Sequence, residues 1–161
     1  VGAAGSSMES LHTLGLAGAL SDAHAAGRPI LGICIGCQVV FSGSEEDGGT
    51  DCLGLLEGQA VRFRFPEGVQ RKVPHMGWNE VNFTASHPVL EGVAAGSQFY
   101  FVHSYHVEPA DPAVSIGTAT YGGIDFTAAV AKDNLVAVQF HAEKSGPAGL
   151  QLLDNFLGWS P

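Results

Sequence analysis

Hydrophobic positions in the first 41 residues predict a helix, a buried strand and a second helix. Apolar residues recur at helical spacing from Met8 to about Ala26, after a capping-box pattern of Ser6 and Glu9. Residues 29–33 form a short, continuous apolar run, which is typical of a strand buried on both faces of a parallel sheet. The next helix is expected to begin near Gly36. Helices alternating with a buried strand indicate an α/β protein.

The second half of the chain is richer in short strands. Residues 42–54, rich in glycine and acidic side chains, read as a loop, and residues 149–157 repeat apolar positions as a closing amphipathic helix. Lys132-Asp133-Asn134 is predicted to form a hairpin turn. Six segments are predicted as strands: 60–65, 79–83, 98–107, 115–119, 126–131 and 135–140. We therefore expect one domain over residues 1–161, with an α/β sheet that carries antiparallel additions.

Charge and cysteine content narrow the class of protein. The net charge of −9 argues against a nucleic-acid partner and against an anionic membrane surface, since neither offers counter-charge. No apolar stretch reaches the ~18 residues that a membrane span needs. The cysteines, Cys34, Cys37 and Cys52, are odd in number and have no disulfide spacing, which favours a reducing compartment, the cytoplasm.

The apolar run 29–33 leads into Gly32-Ile33-Cys34-Ile35-Gly36, which matches a strand–nucleophile–helix elbow. In such an elbow the helix N-terminus would bias the Cys34 thiol toward the thiolate, and the Ile35 N–H would face a developing oxyanion. The alternative is a buried structural cysteine. Cys37 and Cys52 lack this geometry and are interpreted as packing residues.

A thiol nucleophile needs a base, and a third group must orient that base. His141 follows residues 136–140, whose pattern is typical of a buried strand, so it lies at the carboxyl end of a predicted strand, and Glu143 is two residues further on. A histidine and a glutamate at this spacing are also common by chance. His103 and His106, three residues apart on one predicted strand, would face opposite ways, so no metal site is expected.

Five segments together resemble a known family. They are GICIGCQ, SEE, PHMGWN, FVHSYH and QFHAEKS, and they occur in the family's order and at its spacing over nearly the whole chain. The first and last resemble the class I (triad) glutamine amidotransferases. PHMGWN and FVHSYH resemble the glutaminase subunits of imidazole glycerol phosphate synthase. The resemblance implies a flavodoxin-like fold with a central, mostly parallel sheet, and no cofactor.

The resemblance also implies glutamine hydrolysis by a Cys34–His141–Glu143 triad. Cys34 would attack the side-chain amide, His141 would protonate the departing ammonia, and water would cleave the resulting thioester. The remaining site residues are implied to bind the amino-acid end of glutamine (Gln38, Glu46, Ser104, Tyr105) and to stabilise the oxyanion (Gly2, Ile35).

In the family, ammonia passes to a (β/α)₈-barrel cyclase, which uses it to form imidazole glycerol phosphate and an aminoimidazole carboxamide ribotide in histidine biosynthesis. The residues implied to face this partner are Pro74, His75, Met76, Gly77, Trp78 and Lys144. Two alternatives stay open: an amidotransferase of the anthranilate-synthesis type, and a catalytically silent module that only binds a partner.

The chain departs from the family pattern at three places. Ala142 stands where a proline is usual, and Cys37 replaces a usual methionine. The chain also begins inside the family's P-G-V-G oxyanion loop, with Val1 and Gly2. We therefore expect a partial domain in which the first βαβ portion is missing.

Overall fold

Residues 2–161 are described by a computed structural model, and this part of the chain forms four α-helices and eleven strands. The helices are α1 (Ala4–Thr13), α2 (Leu16–Ala25), α3 (Ile35–Val39) and α4 (Gly146–Gly158). The strands are β1 (Ile30–Ile33), β2 (Gly43–Ser44), β3 (Thr50–Asp51), β4 (Gly58–Arg62), β5 (His75–Glu80), β6 (Asn82–Phe83), β7 (Gln98–His103), β8 (Tyr105–Pro109), β9 (Ser115–Tyr121), β10 (Ile124–Lys132) and β11 (Leu135–Val138). Val1 lies outside the described residues.

The predicted first helix is divided into α1 and α2. Gly15 has φ +69°, a left-handed conformation that ends a helix and that glycine adopts without steric cost. The expected capping box is absent from these described helices, because α1 begins at Ala4 and so places Ser6 and Glu9 inside it. In the predicted loop 42–54, the short strands β2 and β3 pair with each other.

The main sheet is mixed. Its strands follow the order β1-β11-β10-β8-β4-β2-β3, with β9 on β10 and β6 on β9. Of the pairings described, β1–β11 and β2–β4 are parallel and the others are antiparallel. The parallel part is thus smaller than the family resemblance implies. Tight connections explain this: the predicted turn joins β10 to β11 at Asp133-Asn134, and two residues can only join antiparallel strands.

A second, two-stranded sheet consists of β5 and β7, which we call the β5–β7 ribbon. The predicted strand 98–107 changes partner at Ser104: β7 pairs with β5, whereas β8 pairs with β4 of the main sheet. The ribbon therefore connects directly to the main sheet at Ser104.

The core lies on both faces of the main sheet. Along β11, Val136 and Val138 pack into an aromatic cluster under α4, and Leu135 and Ala137 pack into a second cluster with Phe41 of the segment after α3. This alternation is the period of two that a strand imposes, and it confirms that β11 is buried on both faces. No helix among residues 2–161 is long and apolar enough to cross a membrane.

Candidate active site

Cys34 lies in a sharp turn between β1 and α3. Its backbone has φ 55° and ψ −108°, a strained conformation for a residue with a side chain. The turn requires close backbone approach, because a Cβ on Gly32 would lie 2.8 Å from the carbonyl oxygen of Gly36. The elbow therefore presents the Cys34 side chain at the carboxyl end of β1, as expected of a nucleophile elbow.

The Cys34 thiol is buried, with 6% of the residue exposed, and its Sγ lies 4.0 Å from the carbonyl oxygen of Val102. Burial raises the pKa of this thiol above its ordinary value, and the hydrogen bond from the Ile35 N–H opposes the shift only in part. Burial therefore opposes the expected bias toward the thiolate. A base has to remove the proton before Cys34 can act as a nucleophile.

His141 immediately precedes the 3₁₀ turn Ala142–Lys144, which follows the last strand, and Glu143 lies within that turn. Nδ1 of His141 is 2.7 Å from Oε1 of Glu143. Three hydrogen bonds fix the backbone of His141. Its N–H donates to the carbonyl of Tyr100 at 2.8 Å, and its carbonyl accepts from the Lys144 N–H at 3.0 Å and from the Ser145 hydroxyl at 2.6 Å. Nε2 of His141 is buried and has no hydrogen-bond partner among residues 2–161.

Strand pairing brings Cys34 and His141 to one edge of the sheet. β1 and β11 are parallel neighbours with Ile33 opposite Val138, and the N–H of Cys34 donates to the carbonyl of Val138 at 2.9 Å. Both residues also contact β7, because Val102 faces the thiol and Tyr100 holds the histidine. Residues more than a hundred positions apart thus lie at the same edge of the sheet, after the carboxyl ends of adjacent strands.

A cavity of about 90 Å³ opens beside Cys34. The described residues that line it are Gly2, Cys34, Ile35, Gln38, Glu46, Pro74, Val102, His103, Ser104 and Tyr105. They include every predicted substrate-binding and oxyanion residue, but neither His141 nor Glu143. A larger cavity of about 270 Å³ under α1 and α2 has an almost entirely apolar lining and no titratable side chain. The polar cavity is therefore the candidate substrate site.

Side chains in this cavity are held by hydrogen bonds. Nε2 of the buried Gln38 donates to the carbonyl of Tyr105 at 3.2 Å and to Oε1 of Gln139 at 3.0 Å. Oε2 of Glu46 accepts from the N–H of Ala4 at 2.7 Å, so its carboxylate faces the positive end of α1. The site is thus pre-organised by contacts between elements that are distant in sequence.

The two predicted oxyanion residues are neighbours. Gly2 packs against Ile35, because a Cβ on Gly2 would lie 3.4 Å from Cγ2 of Ile35. Both line the cavity next to Cys34. Val1, the other residue of the predicted oxyanion loop, lies outside the described residues.

Comparison with known proteins identifies the family. The family model of class I glutamine amidotransferases matches residues 10–158. The chain belongs to this family. Within it, the chain is 54% identical over 144 residues to the imidazole glycerol phosphate synthase subunit HisH of Methylococcus capsulatus, covering 85% of the chain and 65% of that relative. It is 51% identical to the same subunit of Nitrosospira multiformis, covering 96% of the chain and 73% of that relative.

Solved structures agree on the fold of this class I amidotransferase. A glutamine amidotransferase structure superposes with a TM-score of 0.63 at 17% identity, covering 91% of the chain and 70% of that structure. The structure of PurLQS from Thermotoga maritima superposes with a TM-score of 0.64 at 15% identity, covering 89% of the chain and 67% of that structure. The comparisons confirm the family resemblance and the α/β fold class.

The residues expected at a partner surface divide into two groups. Met76 and Trp78 are 63% and 56% exposed, and Pro74 and Lys144 are also exposed. His75 is only 3% exposed, so the expectation that it lies on the surface of this amidotransferase is wrong. The cause is the period of two in β5, which turns Met76 and Trp78 outward and His75 inward, with Gly77 half-buried between them.

His103 and His106 also differ from expectation. Because the chain changes direction at Ser104, both rings enter the same aromatic cluster, with centroids 5.2 Å and 4.8 Å from that of Phe63. Residues 2–161 contain no group of three or more His, Cys, Asp or Glu side chains placed to hold a metal ion.

Sequence reasoning missed three residues of the site. Gln139, fully buried, accepts the hydrogen bond that orients Gln38, and it stands in the QFHAEKS segment, which was the available signal. Val102 acts through its backbone carbonyl, which no side-chain pattern reveals. His103 also lines the cavity, and its place in FVHSYH is the only sequence signal for this.

Proposed function

We propose that this chain hydrolyses glutamine to glutamate and ammonia, with Cys34 as nucleophile, His141 as general base and acid, and Glu143 as the group that orients His141. One observation carries the proposal. Nδ1 of His141 is engaged by Glu143, and Nε2 is left buried and unpaired among the described residues, at the sheet edge shared with Cys34. A neutral imidazole whose Nδ1–H is held by a carboxylate has its lone pair on Nε2, where a base is needed.

The first half-reaction starts with proton transfer from the Cys34 thiol to Nε2 of His141. The thiolate then attacks the side-chain amide carbon, and the Ile35 N–H, with the backbone near Gly2, faces the oxyanion that forms. When the tetrahedral intermediate collapses, the carbon–nitrogen bond breaks. The proton on His141 goes to the leaving nitrogen, so that ammonia departs and a γ-glutamyl thioester remains.

The second half-reaction is hydrolysis of this thioester. His141 takes a proton from water, and the hydroxide adds to the thioester carbon. The carbon–sulfur bond then breaks, and the proton returns to the sulfur of Cys34, which releases glutamate. The net reaction consumes one glutamine and one water and needs no cofactor.

The cavity beside Cys34 fits the amino-acid end of the substrate. Glu46 supplies a carboxylate for the α-ammonium, and Gln38 lies on the same wall. Ser104 and Tyr105 contribute backbone polar groups to the cavity, at the point where the chain leaves the β5–β7 ribbon for the main sheet. An uncharged amide would then project toward the Cys34 thiol.

The partner in this proposal is the (β/α)₈-barrel cyclase of histidine biosynthesis, to which the ammonia passes. The relatives are named as subunits of imidazole glycerol phosphate synthase, which implies a further subunit. Exposed Met76 and Trp78 form an apolar patch of the kind that protein interfaces use, and Lys144 stands on the turn that follows His141. A cytoplasmic location remains a prediction from the cysteine content.

The decisive test is glutamate release from glutamine, measured for the chain with and without the cyclase. Cys34→Ala and Cys52→Ala are the matched pair of variants. Loss of turnover in Cys34→Ala, with turnover retained in Cys52→Ala, supports the proposal. A folded chain that binds the cyclase but forms neither glutamate nor a thioester at Cys34 would be a silent binding module.

A further inference from the structure

Two buried histidines outside the proposed triad are joined by a hydrogen bond. His75 of β5 and His103 of β7 lie opposite each other in the β5–β7 ribbon, and Nδ1 of His75 is 2.9 Å from Nε2 of His103. Each residue is only 3% exposed. A polar pair buried at such depth is stabilising only when its hydrogen bonds are complete, so the other two ring nitrogens matter.

The carbonyl oxygen of Tyr105, which is hydrogen-bonded to His103, determines the tautomer of both histidine rings. Nδ1 of His103 is 2.8 Å from the carbonyl oxygen of Tyr105, and a carbonyl only accepts, so this nitrogen carries the proton. Nε2 of His103 then accepts, and Nδ1 of His75 donates. Nε2 of His75 faces the amide nitrogen of Asn79, a donor, at 3.5 Å. Burial lowers the pKa of His75 to about 4 and that of His103 to about 3, which keeps both rings neutral.

This relay of donors ends in the substrate cavity. The Tyr105 carbonyl accepts hydrogen bonds from both the His103 ring and the Gln38 side chain, and all three residues line the cavity. Ser104, which belongs to neither β7 nor β8, lies between His103 and Tyr105. The hydrogen bond from the His103 ring therefore spans the one residue at which the chain leaves the ribbon.

We propose that His103, supported by His75, is a positioning residue that orients the 104–105 backbone for the α-amino-acid end of glutamine. The inference rests on the proposed function, since it assigns that end of the substrate to this wall of the cavity. Without the His103 ring, the Tyr105 carbonyl keeps only its hydrogen bond from Gln38 at 3.2 Å. The Ser104 carbonyl keeps its hydrogen bond from the Phe63 N–H at 3.2 Å, so the 104–105 backbone stays in place but is oriented less firmly on the cavity side. Glutamine binding would then weaken while the reactivity of the Cys34 thiol itself stays the same.

Two reagents for the same thiol separate these effects. The diazoketone analogue of glutamine carries the α-amino-acid end, whereas iodoacetamide does not, and peptide mapping measures labelling of Cys34 by each. For His103→Phe and His75→Phe we expect labelling at low diazoketone concentration to slow roughly tenfold, the cost of a lost buried hydrogen bond. Iodoacetamide labelling should not change. His75→Gln, which still offers a donor to His103, should retain most of the diazoketone rate.

Equal slowing with both reagents, or no slowing with either, would overturn the positioning role and leave His75 and His103 as core packing. If a phenylalanine variant fails to fold, ¹⁵N NMR spectra of the histidine rings in the unaltered chain test the proposal instead. Both His75 and His103 should be Nδ1–H tautomers, and an Nε2–H tautomer at either ring would contradict the relay. An unaltered chain whose Cys34 reacts with iodoacetamide but never with the diazoketone would refute the proposed function instead.

Discussion

Oε2 of Glu46 accepts a hydrogen bond from the N–H of Ala4 at 2.7 Å, so one carboxylate caps the first turn of α1 and lines the cavity beside Cys34. No side chain caps α1 from its own N-cap residue, Ala3. The N-terminal N–H groups of a helix need partners, and a negative charge there is favourable. Glu46 thus links the stability of α1 to the electrostatics of the substrate cavity.

Two substitutions of Glu46 distinguish its role as a helix cap from its role in substrate binding. Glu46→Ala should lower the free energy of unfolding by about 1 kcal/mol, because it removes the cap. Glu46→Gln keeps an oxygen acceptor for Ala4, so it should lose much less stability while it still weakens glutamine binding through the lost charge. Urea unfolding and the KM for glutamine measure the two effects, with Glu9→Gln, on the exposed face of α1, as control. Equal KM for Glu46→Gln and the unaltered chain would contradict a contact with the substrate ammonium.

The elbow depends on Gly32. A Cβ there would lie 2.8 Å from the Gly36 carbonyl oxygen and 3.0 Å from Cβ of Ala137, and backbone cannot yield as a flexible side chain does. Gly32→Ala should therefore destabilise the chain by about 1–3 kcal/mol and displace Cys34, which abolishes turnover. Gly18→Ala is the control, since nothing lies within 4 Å of a Cβ at that helical position. It should be neutral or stabilising by up to ~1 kcal/mol. An active, fully stable Gly32→Ala protein would show that the turn tolerates a wider geometry.

The local sequence pattern predicted the two strands that lead into Cys34 and His141. The features that it did not predict depend on pairing between strands that are distant in sequence. The apolar runs before Cys34 and His141 became β1 and β11, because buried parallel strands are continuous in hydrophobicity. Residues 98–107 form one predicted strand, and a single serine inside it does not indicate the change of partner. His75 is buried because β5 pairs with β7 in the ribbon, and this pairing also places His75 within hydrogen-bond distance of His103.

Trp78 offers a test of the partner surface. It is 56% exposed on β5, next to the more exposed Met76, and its ring lies 6.1 Å from that of Tyr100. Exposed tryptophans in an apolar patch are frequent hot spots, so Trp78→Ala should weaken association with the cyclase by more than ~1 kcal/mol. Leu157, 83% exposed on α4, is the control, and Leu157→Ala should leave association unchanged. Calorimetric titration that gives the same affinity for both variants would place the partner elsewhere.

Acid should weaken the fold through the buried histidines. In the unfolded chain His75 and His103 take up protons as the pH falls through ~6.5, whereas in the folded chain their pKa values are lowered to about 4 and about 3. The unfolded state therefore binds more protons between these limits. The free energy of unfolding should fall with decreasing pH from about 6.5 to about 4, by at most ~1.4 kcal/mol per pH unit for each ring.

The matched variants for this effect are His75→Phe and His12→Gln. His12 is exposed on α1, so His12→Gln controls for the loss of a histidine that is not buried. His75→Phe removes one of the buried rings, and its stability should vary less steeply over the same window. A slope identical in His75→Phe and the unaltered chain would mean that other groups cause the acid sensitivity.

The buried thiol gives the last prediction. Burial raises the pKa of Cys34 above its ordinary 9.0, and the Ile35 N–H offsets this only in part. Alkylation requires the thiolate, so the rate at which iodoacetamide labels Cys34 in the isolated chain should rise about tenfold per pH unit through neutral and mildly alkaline pH, without a plateau below pH ~9. Peptide mapping separates Cys34 from Cys52, whose pKa is raised to about 11, and Cys34→Ala gives the background. A plateau near neutral pH would show that Cys34 is already a thiolate there, stabilised by the helix N-terminus or by a protonated His141. The mechanism would then begin from an ion pair rather than from proton transfer to Nε2.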